Sequence, residues 1–178
     1  MQNKVVIGID LAGSENNRSG FAIIKEEFGQ KDTKSRSIFS DVEILEEISR
    51  QKPEVVCFDA PITKKKENRK IDIQMQKYGA LSLSLPGMQV LAKRAHALAN
   101  KIKKLGVTVL EINPEATAEI IGIEPQSLSK STHQADAILA AMTGFLYLED
   151  KTKEIGDDDG KIIIPQPSRK KPLSQTPA

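Results

Sequence analysis

The chain has 178 residues, 39% hydrophobic and 28% charged, with Lys+Arg 26 against Asp+Glu 24 and a net charge of +2. That suits one medium domain with a substantial core, and the near balance of charge excludes a polybasic binder while leaving room for a local basic patch. One cysteine, Cys57, excludes an internal disulfide and a cysteine zinc site, and no apolar run approaches the roughly 20 residues of a membrane span, so a soluble, cytoplasmic protein is expected.

The chain opens on the apolar run Val5-Val6-Ile7-Gly8-Ile9, which reads as a strand buried on both faces and ends in Asp10. A turn-rich stretch from Gly13 to Gly20 leads to a second strand, Gly20 to Lys25, expected as its antiparallel neighbour. The polar segment Gly29 to Lys34 then gives way to a short strand around Ser37-Ile38-Phe39. Ser40 and Glu43 form a capping box ahead of a helical stripe of Val42, Ile44, Leu45 and Ile48, which stops before Pro53. Val55 to Phe58 is a buried strand ending in Asp59. Thr63 to Lys70 reads as a charged loop or exposed helix, and Tyr78-Gly79 and Pro86-Gly87 read as breaks.

A long helix carries Leu91, Ala95, Leu98, Ile102 and Leu105, with Gly106 as its stop. Val107 to Leu110 is a strand ending in Glu111, a short helix covers 116–121, and a last helix over 133–148 holds Asp136 in its first turn. Residues 151–178 are expected to form a peripheral extension: an acidic turn at 156–160, a peripheral strand at 162–164, and a loosely attached or disordered end from Pro165.

Three strands followed by two helix–strand crossovers predict an α/β domain over 1–150. The expected sheet is RNase H-like and five-stranded, an antiparallel meander plus two parallel strands, with helices on both faces. The right-handed crossover rule sets the fourth strand parallel to the first. Asp10 and Asp59 then leave the sheet side by side, about 4.8 Å apart.

Asp10, Asp59 and Glu111 each end a predicted strand, and Asp136 starts a helix. Taken singly, such acids are ordinary turn and cap residues. Gathered at one sheet edge they repel and raise one another's pKa unless a cation neutralises them, and hard carboxylate oxygens favour Mg²⁺ or Mn²⁺. Two such ions about 3.5–4 Å apart can activate a water in phosphodiester hydrolysis.

The phrases Gly8-Ile9-Asp10-Leu11-Ala12-Gly13, Phe58-Asp59-Ala60-Pro61, Arg69-Lys70-Ile71-Asp72, Glu111-Ile112-Asn113-Pro114-Glu115-Ala116 and His133-Gln134-Ala135-Asp136-Ala137 occur in that order. Together they resemble the motifs of the predicted-nuclease family called domain of unknown function 429, over about Val5 to Asp150. The resemblance implies an RNase H-like nuclease acting on nucleic acid (RNA, DNA or a hybrid), with Asp10, Asp59, Glu111 and Asp136 as catalytic metal ligands. It also implies that Arg69 contacts a substrate phosphate.

Several residues keep two readings. Arg69 and Asp72, three apart, share a helix face and can instead form a local ion pair. His133 lies three residues before Asp136, where it assists proton transfer or merely starts a helix. Glu115 is an auxiliary acid or a favourable charge at a helix start, and His96 reads as structural. Lys64-Lys65-Lys66 with Arg69 and Lys70 steers a nucleic-acid backbone or is simply solvated. With aromatics at 4% and no Trp, a stacking platform has little support. The rival functions are a non-catalytic nucleic-acid or nucleotide binder on the same fold and an ATP-dependent phosphotransferase. The second would use Gly13-Ser14 as a phosphate loop, but no second phosphate loop follows.

Overall fold

The computed structural model describes residues 3–166. Its element order is β1 (Lys4–Asp10), β2 (Ser19–Glu27), β3 (Gln30–Ile38), α1 (Asp41–Gln51), β4 (Val55–Asp59), α2 (Lys70–Met75), α3 (Pro86–Lys103), β5 (Thr108–Glu111), α4 (Pro114–Ile121), α5 (Thr132–Leu148), β6 (Thr152–Asp157) and β7 (Gly160–Pro165). The sheet runs β3-β2-β1-β4-β5. β1 is antiparallel to β2 and β2 to β3, while β4 is parallel to β1 and β5 to β4. This is the mixed RNase H-like sheet expected from the order of strands and crossovers.

Each sheet face has its own helical layer. On one side Ile7, Ile9, Val56 and Phe58 meet Ile44 and Ile48 of α1 and Ala95, Leu98 and Ile102 of α3. On the other, Val6, Ala22, Val55 and Cys57 meet Ala137, Ala140, Ala141 and Phe145 of α5. The alternation of Val6 and Ile7 to opposite faces explains why β1 shows no polar residue between Lys4 and Asp10.

α5 lies unusually close to the strands, and glycine makes this possible. A Cβ on Gly8 would sit 2.1 Å from the Ala137 carbonyl oxygen, and one on Gly20 would sit 1.7 Å from that of His133. No side chain fits at either position, so β1 and β2 carry glycine beneath the helix. The first turns of α5 are thereby brought down onto the end of β1 that carries Asp10.

α1 follows its sequence signals: Ser40 Oγ accepts from the Glu43 backbone N–H at 3.1 Å, and Glu43 accepts from the Phe39 N–H at 3.2 Å. Three local expectations are corrected. β3 begins at Gln30 and runs nine residues rather than three. It is an edge strand that is exposed over most of its length, so charged residues occupy both faces and leave no apolar alternation to read. Pro86-Gly87 is not a break but the start of α3, because proline suits the first helical position, where no N–H partner is needed. Lys70 to Met75 is a helix, its first turn closed by Asp72 accepting from the Arg69 backbone N–H at 2.8 Å.

The strand expected at the periphery is part of the core. Ile162, Ile163 and Ile164 of β7 are buried, Ile163 within the α5 layer and the other two against Ile71, Met75 and Ala116. Ile163 also bridges to Ile112 beyond β5. Three consecutive isoleucines are buried here because β7 is covered on both faces. The expectation of a disordered end falls mostly on 167–178, outside the described residues.

The β2–β3 turn is Phe28-Gly29, both left-handed at φ 52° and 81°. Two positive φ values are the requirement of a type I′ hairpin, which favours Asn-Gly. Phe28 is 88% exposed and packs on nothing. Phe28→Asn is therefore expected to stabilise the fold by about 0.5–1 kcal/mol, read as a raised midpoint in chemical denaturation.

Candidate active site

The register of β1 and β4 sets Asp10 directly opposite Asp59 at the carboxyl ends of two parallel strands. Both line a cavity of about 210 Å³, together with Asp72, Glu111, Glu115 and Asn113, and with Met88 and Leu91 of α3 among its apolar walls. Crevices at strand carboxyl ends are the usual ligand sites of open α/β sheets.

Two helices bring further groups. In α5, the His133 ring Nδ1 lies 2.6 Å from Asp10 Oδ2 and donates to it when that carboxylate is ionised. Asp136 stands one turn further on, near enough to Asp10 and Asp59 to raise the pKa of Asp59. α4 begins at the capping residue Asn113, whose side chain accepts from the Ala116 N–H at 2.7 Å, and Pro114 follows at the first helical position. This start presents Glu115 to the cavity rim. A buried hydrogen bond of 2.7 Å between the Thr117 and Thr143 hydroxyls fixes α4 against α5.

The electrostatics are those of crowded like charges. Burial, then the charges of Asp10, Glu115, Asp136 and Glu111, hold the Asp59 carboxyl well above its ordinary range. Burial pushes Asp136 up to about 6, with Asp10 and Glu115 adding and His133 opposing. Burial also raises Asp10, against the hydrogen bond and charge of His133. Glu115 is raised by burial and by Asp10, although much of its side chain reaches solvent.

Acids whose folded pKa is raised bind protons more tightly in the native state. Their stabilising effect is complete below the unfolded value near 4 and is lost as pH climbs through the folded value. For Asp136 that window is about pH 4 to 6. Asp136→Asn is expected to stabilise the metal-free protein at pH 7.5 by on the order of 1 kcal/mol, the gain being discounted for solvent screening. The difference should shrink at pH 4.5, which thermal unfolding of the two proteins at both pH values would read.

Glu111 has a different setting. Its Oε1 accepts from Arg69 Nη2 at 2.5 Å, and its Oε2 accepts from Arg69 Nη1 at 3.0 Å and from the Ile62 N–H at 2.8 Å. Arg69 in turn holds Asp72 through Nε at 2.9 Å and Nη2 at 2.5 Å. Desolvation works against the Arg69 charge, but these two carboxylates hold its pKa above the ordinary value. Burial raises Glu111 and outweighs Arg69, which lowers it.

Arg69 is only 2% exposed, so the local ion-pair reading describes it, not the phosphate contact. The fork geometry of guanidinium explains the choice, since it satisfies both acids bidentately. Glu111, expected as a metal ligand, is a wall of the cavity whose two oxygens are engaged by Arg69. Glu115, four residues on, lines the same cavity. Its signals in the sequence were its place in the Glu111-to-Ala116 motif and the helix-capping pattern Asn-Pro-Glu, which reads equally well as a charge at a helix start.

Among the described residues, no three His, Cys, Asp or Glu side chains close on a single point as a ready metal cage. The donor chemistry nevertheless fits a hard dication: Asp10, Asp59 and Glu115 line one cavity, Asp136 lies close enough to raise the Asp59 pKa, and the repulsion among these acids is what a cation relieves. None of the helices among the described residues is long and apolar enough to cross a membrane.

No family model matches the chain, and no curated protein does. Among solved structures it is similar to YeaZ from Pseudomonas aeruginosa at 10% identity and a TM-score of 0.28, over 62% of this chain and 44% of that one. It is also similar to the trimeric exonuclease PhoExo I from Pyrococcus horikoshii. The complex with poly-dC gives 11% identity and a TM-score of 0.33, and the complex with poly-dA gives 14% and 0.32, each over 92% of this chain and 87% of that chain. The chain thus spans less than half of YeaZ. These likenesses are distant, and the reading of the cavity rests on its own residues.

Proposed function

We propose that the chain is a divalent-metal-dependent phosphodiesterase acting on nucleic acid, a nuclease of the kind that the resemblance to domain of unknown function 429 implies. The observation that carries this is the register pairing of Asp10 with Asp59 on adjacent parallel strands, with Glu115 lining the same cavity and Asp136 near enough for its charge to act on Asp59. A dry binding pocket has no use for four acids that raise one another's pKa. A site that takes up Mg²⁺ or Mn²⁺ does.

In this reading Asp10, Asp59, Asp136 and Glu115 hold the metal. When bound, it supplies Lewis acidity and a lowered water pKa at the scissile phosphate. Asp10 is central because β1 is the middle strand of the sheet, flanked by β2 and β4. His133, hydrogen-bonded to Asp10, orients that carboxylate and stands ready to accept or donate a proton at the cavity mouth. Arg69 does not reach substrate here. It fixes Glu111 and Asp72, so the cavity floor stays in place as charge accumulates above it.

The test is hydrolysis of labelled single-stranded DNA, RNA and hybrid substrates with Mn²⁺, with and without chelator. Metal-dependent cleavage that falls about a hundredfold or more in Asp59→Asn, a protein expected to fold at least as stably as the native one, supports the reading. Cleavage that persists undiminished in Asp59→Asn would locate the activity elsewhere. Binding of these strands with no cleavage would favour the non-catalytic binder.

A further inference from the structure

A second groove lies beside the acidic cavity, and the same two segments wall both. The chain after β4 contributes Ala60 and Pro61 to the cavity and then Thr63, Lys64, Lys65 and Lys66 to the groove. Helix α3 contributes Met88 and Leu91 to the cavity, and Val90, Lys93 and His96 to the groove. Positions 88 and 91 share one helical face, while 90, 93 and 97 share the adjacent one, so the two depressions are neighbours along α3. Gln89 closes the joint by donating from Nε2 to the Lys66 carbonyl at 3.2 Å.

The groove, about 710 Å³, has an apolar floor that includes Pro86, Val90 and Ala97, and a rim of four lysines. Among the described residues, Lys64, Lys66 and Lys93 are exposed with no carboxylate in ion-pair reach, whereas Lys65 is paired with Asp159. Lys64, Lys66 and Lys93 thus set three unneutralised cations around one depression. Desolvation, and then the charges of Lys64 and Lys103, lower the His96 pKa. His96 itself is held by Asn100, with Nδ2 and Nε2 2.9 Å apart.

We infer that this groove carries the sugar–phosphate backbone of a nucleic-acid strand away from the acidic cavity, with Lys64, Lys66 and Lys93 on successive phosphates. The inference rests on the phosphodiesterase reading for its direction, since the cavity is where the strand would be cut. Its occupant follows from charge: a polyanion is attracted to the rim and repelled by the carboxylates, so it needs a cationic track to approach them. The apolar floor gives the bases a surface, but without aromatic residues in the lining it offers no stacking read-out, which predicts little sequence preference.

The test is binding of fluorescein-labelled single-stranded DNA and RNA oligonucleotides in chelator, so that no cleavage intervenes. The expected result is that Lys64→Gln, Lys66→Gln and Lys93→Gln together weaken binding at low salt by roughly tenfold or more and flatten the dependence of log affinity on log salt by about 2. A control removes the same charge from exposed Lys34, Lys130 and Lys153, and it should bind nearly as the native chain does. Equal losses in both triple variants, an unchanged slope, or no binding by the native chain would overturn the groove. Hydrolysis of bis(p-nitrophenyl) phosphate with Mn²⁺ reads the cavity separately. Its absence alongside lysine-dependent binding would sink the catalytic reading and leave the groove standing, and its presence with lysine-independent binding would do the reverse.

Discussion

Arg69→Ala is expected to destabilise the protein by about 3–5 kcal/mol, the range for breaking one side of a buried ion pair. Arg69 is 2% exposed, and its guanidinium satisfies both Asp72 and Glu111. Removing it leaves two buried acids facing each other with no cation, and the cavity loses a wall. The β6–β7 hairpin rests on the same residue: a Cβ at Gly160 would lie 2.7 Å from Arg69 Cδ, and Lys70 pairs with Asp157 at 2.9 Å. Unfolding in urea would read the loss. Combining Arg69→Met with Asp72→Asn and Glu111→Gln should recover most of it, because the cost lies in unpaired charge rather than in missing volume. A loss below about 1 kcal/mol in Arg69→Ala would mean that the triad is solvated and carries little.

Gly20→Ala is the second large effect. The added methyl would fall 1.7 Å from the His133 carbonyl oxygen, a backbone atom that cannot rotate aside. Either β2 or the start of α5 must shift, at a cost near the top of the overpacking range, about 3 kcal/mol. The functional consequence separates this from a simple loss of stability. His133 and Asp136 both ride on the first turns of α5, so Mn²⁺ affinity should fall at least about tenfold even where the protein remains folded. Gly87→Ala is the matched control, since a Cβ there meets nothing within 4 Å and sits in a helix. It should leave the fold unchanged or slightly firmer.

The sheet was legible because its signals are local. Apolar runs ending at Asp10, Asp59 and Glu111 mark β1, β4 and β5, and hairpin spacing with crossover handedness then fixes their order. The full length of β3 escaped because an exposed edge strand such as Gln30–Ile38 has no buried face to pattern it. The burial of the C-terminal strand escaped because Ile162-Ile163-Ile164 is too short a run to distinguish a buried strand from a peripheral one. In the site, the placement of Asp10 and Asp59 followed from register alone. The engagement of Glu111 by Arg69 did not, because it depends on where Arg69 finds its partners. Arg69 and Asp72 are three apart and visible as a pair. Glu111 is 42 residues away, and only the three-dimensional fold brings it within 3.0 Å.

The central claim is that Asp10, Asp59, Asp136 and Glu115 form a dication site. Calorimetric titration of Mn²⁺ into the native chain and into Asp10→Asn at pH 7.5 tests it most directly. Binding at millimolar affinity or better by the native chain, lost in an Asp10→Asn protein that unfolds no earlier than native, is the predicted result. Equal binding by both proteins, or none by either, would contradict it.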